Sequence, residues 1–125
     1  MIIEHKNIVL TGASGGIGSE IAMQLANEGA NIALLDRDQE ALSWLAGKIQ
    51  RKNITILTVA VDLLDSEARS QALDQVVKTF GQVDVLINAA GLMSYRPFSE
   101  EDPVLLERII QLNTIAPMML VRKLL

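Results

Sequence analysis

The 125-residue chain has no cysteine, and histidine, tryptophan and tyrosine each occur only once. The absence of cysteine excludes disulfide bonds and thiolate metal sites and agrees with a reducing compartment, so we expect a cytoplasmic location. His5 lies in a polar N-terminal stretch, where a solvated side chain is more common than a ligand. No metal site is therefore predicted.

Long apolar runs and an excess of positive charge are also missing. Charged and polar residues divide the chain into short apolar runs, none of which reaches the about 18 residues needed to cross a bilayer. Glu4, His5 and Lys6 stand where a signal peptide would need its apolar stretch. The formal net charge of -4 creates a field that repels phosphate polymers. These features predict a soluble protein without a membrane segment or a nucleic-acid partner.

Hydrophobic residues make up 50% of the sequence, enough for one core in a chain of this length. Four short runs rich in β-branched residues predict strands at about residues 7–11, 31–35, 54–61 and 83–88. Stretches of helical period separate these runs. This alternation is typical of βαβ units, in which helices cover both faces of a parallel sheet. We predict a single α/β domain over residues 1–125.

Each of the three helices between the strands is predicted to bury one apolar stripe. The inward residues are Ile17, Ile21, Ala22, Leu25 and Ala26 in the first helix, Ala41, Leu42, Leu45, Ala46 and Ile49 in the second, and Ala72, Leu73, Val76, Val77 and Phe80 in the third. Asp38 precedes the second helix, and Asp65 and Ser66 are candidate N-caps of the third. Gly29 and Gly81 are expected to end the first and third helices.

The last segment, from about residue 103 onward, has apolar residues on more than one face. They are Ile115, Ala116, Met118, Met119, Leu120, Val121, Leu124 and Leu125. Such a helix is expected to have neighbours on several sides. Pro117 is expected to kink it, because proline removes one backbone donor and clashes with the preceding turn.

Right-handed crossovers place the four strands in the order 3-2-1-4, as in a Rossmann-type parallel sheet. The far edge of the fourth strand is then unpaired. We therefore expect the chain to form a homo-oligomer through this edge, through the last helix, or through both.

A glycine-rich turn over residues 11–18 follows the first strand and leads directly into the first helix. Gly12 permits a tight turn, Gly16 lets the backbone approach a diphosphate, and Gly18 allows close packing of helix and strand. The helix N-terminus attracts negative charge, and Ser14 can add a hydroxyl donor. The predicted dinucleotide contacts of the turn are Gly12, Ser14, Gly15, Gly16, Ile17 and Gly18. A purely conformational role for the glycines is the alternative.

Asp36 ends the second strand, where a carboxylate can accept hydrogen bonds from both hydroxyls of an adenosine ribose. The same charge would repel a 2′-phosphate, which favours NAD over NADP as the cofactor. Arg37 weakens this predicted preference for NAD, because its guanidinium could lie over the adenine or bind a phosphate. In the alternative interpretation, Asp36 and Arg37 only end a strand and begin a turn.

These residues resemble the short-chain dehydrogenase/reductase family, whose glycine motif TGxxxGxG matches residues 11–18 in full. Three further motifs occur in the family's order. The resemblance implies an adenine contact at Asp62 and Leu63, a cofactor-binding NNAG motif with one substitution at Asn88, Ala89, Ala90 and Gly91, and the catalytic-tetrad asparagine at Asn113. Alternatively, Asp62 caps a turn, Asn88 is a buried polar residue that ties strands together, and Asn113 solvates backbone near the kink.

The resemblance implies hydride transfer between nicotinamide and an alcohol or carbonyl carbon. In the family, a tyrosine is the general acid and base, a lysine four residues later lowers its pKa, and a serine orients the substrate. The only tyrosine here, Tyr95, is followed by Arg96, Pro97, Phe98 and Ser99, so no such pair is present up to Leu125. Tyr95 is instead expected to pack or to line a cleft.

The missing pair leads us to expect a fragment or a truncated protein that is itself inactive. Since the half that holds adenine and diphosphate is retained, ADP-ribose is expected to bind about as well as NAD. A stand-alone nucleotide-binding module and a self-associating structural product with a vestigial site are the alternatives.

Overall fold

The computed structural model describes residues 1–125 and contains four strands, β1 (Asn7–Thr11), β2 (Asn31–Asp36), β3 (Ile56–Ala60) and β4 (Val85–Asn88). They form one parallel sheet in the order β3-β2-β1-β4. At the carboxyl end of β1, Thr11 is level with Leu35 of β2 and Asn88 of β4. The predicted strand order and the unpaired far edge of β4 are confirmed.

The third and fourth strands are shorter than the sequence predicts. The backbone N–H of Thr55, just before β3, donates to Oδ1 of Asn31 at 2.8 Å. The carboxylate of Asp84, just before β4, accepts from the backbone N–H of Asn7 at 2.8 Å. Side chains therefore take up backbone donors at the amino end of the sheet, and the regular ladders begin later.

Two apolar cores lie on opposite faces of the sheet. Alternate residues of β1 and β2 point to each face, so Ile8 and Ile32 belong to one core and Val9 and Ala33 to the other. The first core is closed by α1 (Gly16–Asn27) and α2 (Gln39–Ile49), and the second by α3 (Ser66–Phe80) and the C-terminal helix. Helices cover both faces, as predicted for a Rossmann-type sheet.

The predicted helix ends are confirmed, except that Ser66 is the first residue of α3 and not its N-cap. Asp38 accepts a hydrogen bond from the backbone N–H of Ala41, and Asp65 accepts from those of Glu67 and Ala68. Gly29 and Gly81 follow α1 and α3 with φ of +83° and +80°, a conformation that side chains with a Cβ rarely adopt.

Two residues predicted to face the core do not. Ile17 is 76% exposed, because it lies in the first turn of α1, next to the glycine loop and not under the sheet. Val77 is exposed because the buried stripe of α3 runs from Ala72 through Val76 to Leu73 over about 100°, and Val77 lies about 40° beyond the Leu73 edge of this stripe.

The C-terminal segment is one continuous helix with an irregular middle. It consists of α4 (Pro103–Ile110), a π-helical turn (Gln111–Ile115) and α5 (Ala116–Leu124). Pro117 has no N–H to donate to the carbonyl of Asn113, four residues earlier, and the wider π turn lies where the proline ring would clash with a regular helix. The irregularity predicted at Pro117 therefore takes the form of a π turn before it.

By length and composition, the helix Pro103–Leu124 is also apolar enough to cross a membrane. The sequence prediction missed this because polar residues interrupt every apolar run. A single helix of this kind is weak evidence for a membrane segment, and only 11% of its most apolar window is buried inside the fold. In this fold, Ala116 and Leu120 are buried against the sheet and α3, and Lys123 forms an ion pair with Asp74 of α3 at 2.7 Å.

Candidate functional site

A cleft of about 430 Å³ opens at the carboxyl ends of the strands, where β1 separates β2 from β4. In a doubly wound sheet, the point at which the strand order reverses is the usual ligand site. Of the predicted site residues, nine line this cleft: Gly12, Gly15, Asp36, Arg37, Asp62, Leu63, Ala89, Ala90 and Gly91. Ser14, Gly16, Ile17, Gly18, Asn88 and Asn113 do not line it.

Two glycines of the loop are required by close packing. Gly12 has a φ of +64°, and a Cβ on it would lie 2.6 Å from the backbone nitrogen of Ala90. A Cβ on Gly18 would lie 2.0 Å from the carbonyl oxygen of Gly12. The loop therefore lies directly against the end of β4 and against its own helix, which no other residue type permits.

Gly16, the first residue of α1, has a different environment. A Cβ on Gly16 would meet no protein atom within 4 Å. The backbone N–H groups of Gly16, Ile17 and Gly18 have no hydrogen-bond partner in the protein, and α1 has no side-chain cap. By contrast, an aspartate caps each of α2, α3 and α4. The N-terminus of α1 thus combines free donors, open space and the positive end of a helix dipole.

Asp36 lies beside this helix end, at the carboxyl end of β2. Its Oδ2 accepts hydrogen bonds from the backbone nitrogen of Ser14 at 3.0 Å and from Ser14 Oγ at 2.7 Å. Its Oδ1 accepts from the backbone nitrogen of Arg37 at 2.8 Å. The carboxylate is thus held against the glycine loop, and the guanidinium of Arg37 makes no ion pair.

Asp62 and Leu63 follow β3 at the side of the cleft. Asp62 Oδ1 accepts a hydrogen bond from the backbone nitrogen of Leu64 at 3.0 Å, so Asp62 does cap a turn. Its carboxylate still lines the cleft, as does the largely buried Leu63. The backbone oxygen of Leu63 accepts a hydrogen bond from Arg69 Nη1 of α3 at 2.6 Å. This hydrogen bond holds the Leu63 side of the cleft against α3.

The end of β4 forms the wall opposite β2. Ala90 donates its backbone N–H to Oγ1 of the buried Thr11 at 3.2 Å. The side chain of Asn88 is exposed and makes no hydrogen bond, so it is not the buried tie between strands that one interpretation expected. Thr11 makes that tie instead, a role that its place in the glycine motif does not indicate.

Asn113 lies in the π turn and contacts the loop after β4, where its Oδ1 accepts from the backbone nitrogen of Leu92 at 2.8 Å and its Nδ2 donates to the oxygen of Leu92 at 2.7 Å. Asn113 therefore connects the π turn to the cleft wall by two hydrogen bonds. This agrees with the expectation that Asn113 satisfies backbone groups near the irregular part of the helix.

One side of the cleft is formed by residues outside the predicted motifs. Leu92, Leu105, Arg108 and Leu112 line it together with Val61 and Leu64. The spacing of Leu105, Arg108 and Leu112 places them on one face of α4 and the π turn, a signal that could have identified them. Arg108 forms no ion pair. Tyr95 is 90% exposed and lines a separate shallow groove with Met93 and Arg96.

The residues present fit an ADP group. Free amides and open space at Gly16 suit a diphosphate, and the carboxylate of Asp36 suits a sugar hydroxyl. Asp62 and the apolar Leu63 line the same side of the cleft, and together they suit a flat heteroaromatic ring.

Comparison with known proteins supports this interpretation of the geometry. The short chain dehydrogenase family model matches residues 6–125. An uncharacterized oxidoreductase of Staphylococcus saprophyticus is 38% identical over 89% of this chain and 48% of its own length. The 3beta-hydroxysteroid dehydrogenase 2 of Eggerthella lenta is 30% identical over 98% of this chain and 47% of its own length.

Two solved structures are similar to this chain over nearly its whole length. An NAD+-bound xylitol dehydrogenase has a TM-score of 0.91 at 30% identity, over 99% of this chain and 48% of that one. A metagenomic short-chain oxidoreductase in complex with NADP has a TM-score of 0.89 at 32% identity, over 97% of this chain and 56% of that one. The chain spans about half the length of the curated relatives it matches. This chain therefore belongs to the short-chain dehydrogenase family.

Proposed function

We propose that this chain binds the ADP portion of NAD and contributes the cofactor-binding part of a short-chain oxidoreductase. The observation that carries the proposal is the uncapped N-terminus of α1, whose free amides adjoin the open space at Gly16 and the carboxylate of Asp36. An uncapped helix end is unfavourable unless water or a ligand satisfies its donors. A diphosphate supplies both the acceptors and the negative charge.

Each part of the ADP group has matching protein groups beside it. The amides of residues 16–18 hold the diphosphate, Asp36 accepts from the adenosine ribose, and Asp62 and Leu63 flank the adenine. When bound, the nicotinamide of NAD accepts or donates a hydride. The residues described here bind and orient the cofactor.

NAD is proposed as the preferred cofactor over NADP. The Asp36 carboxylate lies where the ribose 2′-position would be recognised, and its charge opposes a phosphate at that position. Relatives of known structure include both NAD-bound and NADP-bound proteins, so the preference depends on the residues of this chain. Arg37 and Arg108 are the cations that would weaken it.

In the whole protein, we propose hydride transfer between nicotinamide and an alcohol or carbonyl compound. These 125 residues contain no tyrosine followed four positions later by lysine. A phenol needs a nearby cation to act as a base near neutral pH. We therefore propose that the chain by itself binds cofactor without turnover.

Isothermal titration calorimetry of the 125-residue chain with ADP-ribose, NAD and NADP tests the proposal. ADP-ribose and NAD should bind with similar affinity, since both offer the same ADP group, and NADP should bind more weakly. NAD binding far tighter than ADP-ribose would contradict the proposal, as would no binding of either at millimolar concentration.

A charge variant at the helix end makes the test specific. Gly16→Asp should weaken ADP-ribose binding by about tenfold or more through repulsion of the diphosphate, and it should leave stability unchanged or higher, because an acidic residue is favourable at a helix N-terminus. Gly47→Asp, at an exposed glycine of α2 away from the cleft, is the matched control and should bind normally. Equal binding by both variants would show that the diphosphate does not lie at α1.

A further inference from the structure

Arg69 of α3 reaches back to the loop that follows β3. Its Nη1 donates to the backbone oxygen of Leu63 at 2.6 Å, which is the only hydrogen bond that its side chain makes. Arg69 forms no ion pair. It does not line the cleft but a separate cavity of about 200 Å³, which is also lined by Gln111 and Ile115 of the π turn. Arg69 can therefore affect a ligand in the cleft only through the loop.

The carbonyl of Leu63 has no other partner in the protein. The backbone of Leu63 makes no hydrogen bond with any other backbone group. Leu63 is only 6% exposed, and it belongs to the core that α3 closes. A buried carbonyl without a partner is unfavourable, and a charged donor forms a stronger hydrogen bond than a neutral one. Arg69 therefore sets the orientation of this carbonyl.

The carbonyl of Leu63 and the N–H of Leu64 belong to one planar peptide unit. Arg69 holds the carbonyl, and Oδ1 of Asp62 accepts from the N–H at 3.0 Å. The two groups of a trans peptide point in opposite directions, so the peptide lies between the guanidinium and the carboxylate. A cation at the carbonyl also polarises the peptide and strengthens the hydrogen bond that its N–H donates. Rotation of this peptide would move the carboxylate that lines the cleft.

The carboxylate of Asp62 has acceptor sites to spare. The hydrogen bond from Leu64 uses one of the about four lone-pair sites, and Asp62 forms no ion pair. The other sites can accept hydrogen bonds from a ligand. The donor of an adenine ring is its exocyclic amino group. How well the carboxylate meets this group depends on the direction in which the carboxylate points.

We propose that Arg69 is a positioning residue, which fixes the peptide between residues 63 and 64 and thereby orients the carboxylate of Asp62 toward the adenine. This inference rests on the proposed function, which places Asp62 and Leu63 beside the adenine. It adds a residue that lies outside the cleft and acts through one peptide unit.

A ligand that differs only at the adenine ring separates positioning from general loosening of the fold. Calorimetry of the 125-residue chain compares NAD with nicotinamide hypoxanthine dinucleotide, in which a carbonyl oxygen replaces the amino group. The unaltered chain should bind NAD about tenfold more tightly, because a carboxylate accepts from an amino group and repels a carbonyl oxygen. Arg69→Met keeps the apolar stem but removes the donor. It should reduce this preference to about threefold or less by weakening the binding of NAD alone.

Lys78→Met is the matched control and should retain the full preference. Lys78 lies on the same helix, is exposed, and makes no ion pair. If Arg69→Met does not fold, Arg69→Gln replaces it, because the glutamine amide is two bonds shorter and does not reach the carbonyl of Leu63.

Equal weakening of both dinucleotides by Arg69→Met would mean that Arg69 only stabilises the fold, and unchanged binding of both would mean that it has no role. Equal binding of the two dinucleotides by the unaltered chain would mean that Asp62 does not recognise the amino group. Each of these results overturns the inference, while binding of NAD by the unaltered chain still supports the proposed function. Absence of NAD binding by the unaltered chain overturns both.

Discussion

At the scale of single residues, the glycines of the loop serve two separate purposes. Gly12 and Gly18 are surrounded by backbone atoms, so their lack of a Cβ is a condition for folding. Gly16 is open, and in the function proposed above its lack of a Cβ leaves room for the diphosphate. Under that proposal, one motif combines a stability requirement with a binding requirement.

We expect Gly18→Ala to destabilise the chain by about 2 kcal/mol or more, because the new methyl group meets the Gly12 carbonyl and backbone must move. Gly47→Ala, in an open helical position of α2, should instead stabilise it by up to about 1 kcal/mol. Urea unfolding of both variants measures the difference. A Gly18→Ala protein as stable as Gly47→Ala would mean that the loop is not packed as described.

At the scale of elements, the π turn connects the C-terminal helix to the cleft. Asn113 makes two hydrogen bonds with the backbone of Leu92, which lines the cleft after β4. A π turn adds a residue to the helix turn and so changes the direction in which a side chain points. The proline after it makes this irregular geometry the favourable one.

Replacing Asn113 with alanine should release the loop after β4. We expect a loss of about 1–2 kcal/mol in unfolding free energy from the two hydrogen bonds and faster hydrogen exchange at the amide of Leu92. Gln111→Ala is the control, since Gln111 lies in the same π turn and its side chain makes no hydrogen bond. Unchanged exchange at Leu92 in the Asn113→Ala protein would show that this contact does not hold the loop.

At the scale of the whole molecule, apolar surface is unevenly distributed. The exposed large apolar residues of the C-terminal helix and its last flanking residue are Val104, Ile110, Ile115, Met118, Met119, Val121 and Leu125. The far edge of β4 is unpaired as well. A surface of this kind is uncommon on a monomer and favours association.

We expect the chain to self-associate. Sedimentation velocity should therefore show species larger than the 13.6 kDa monomer, and the fraction of these species should rise with protein concentration. Met118→Lys on α5 should weaken association, because it places a charge in the apolar face. Trp44→Lys on α2 is the control, since Trp44 is 67% exposed and Met118 is 61% exposed. A monomer at all concentrations would refute self-association, and an undiminished association of Met118→Lys would exclude the helix face as the contact.

The sequence by itself determined the order of the elements, the strand order, the glycine turn and most of the helix caps. These depend on interactions between near neighbours in the chain, such as Asp65 with Ala68, and on the fixed handedness of the crossovers. Strand ends were less predictable, because distant side chains such as Asn31 compete for backbone donors there.

Only the tertiary structure decided which side chains meet in the cleft. Ser14 and Asp36 are 22 positions apart, and Asn113 and Leu92 are 21 apart. Arg108 reaches the cleft only because the tertiary structure brings α4 to the carboxyl ends of the strands. The physical reason is that periodicity determines which face of an element is buried, whereas a contact between two side chains depends on how whole elements pack against each other.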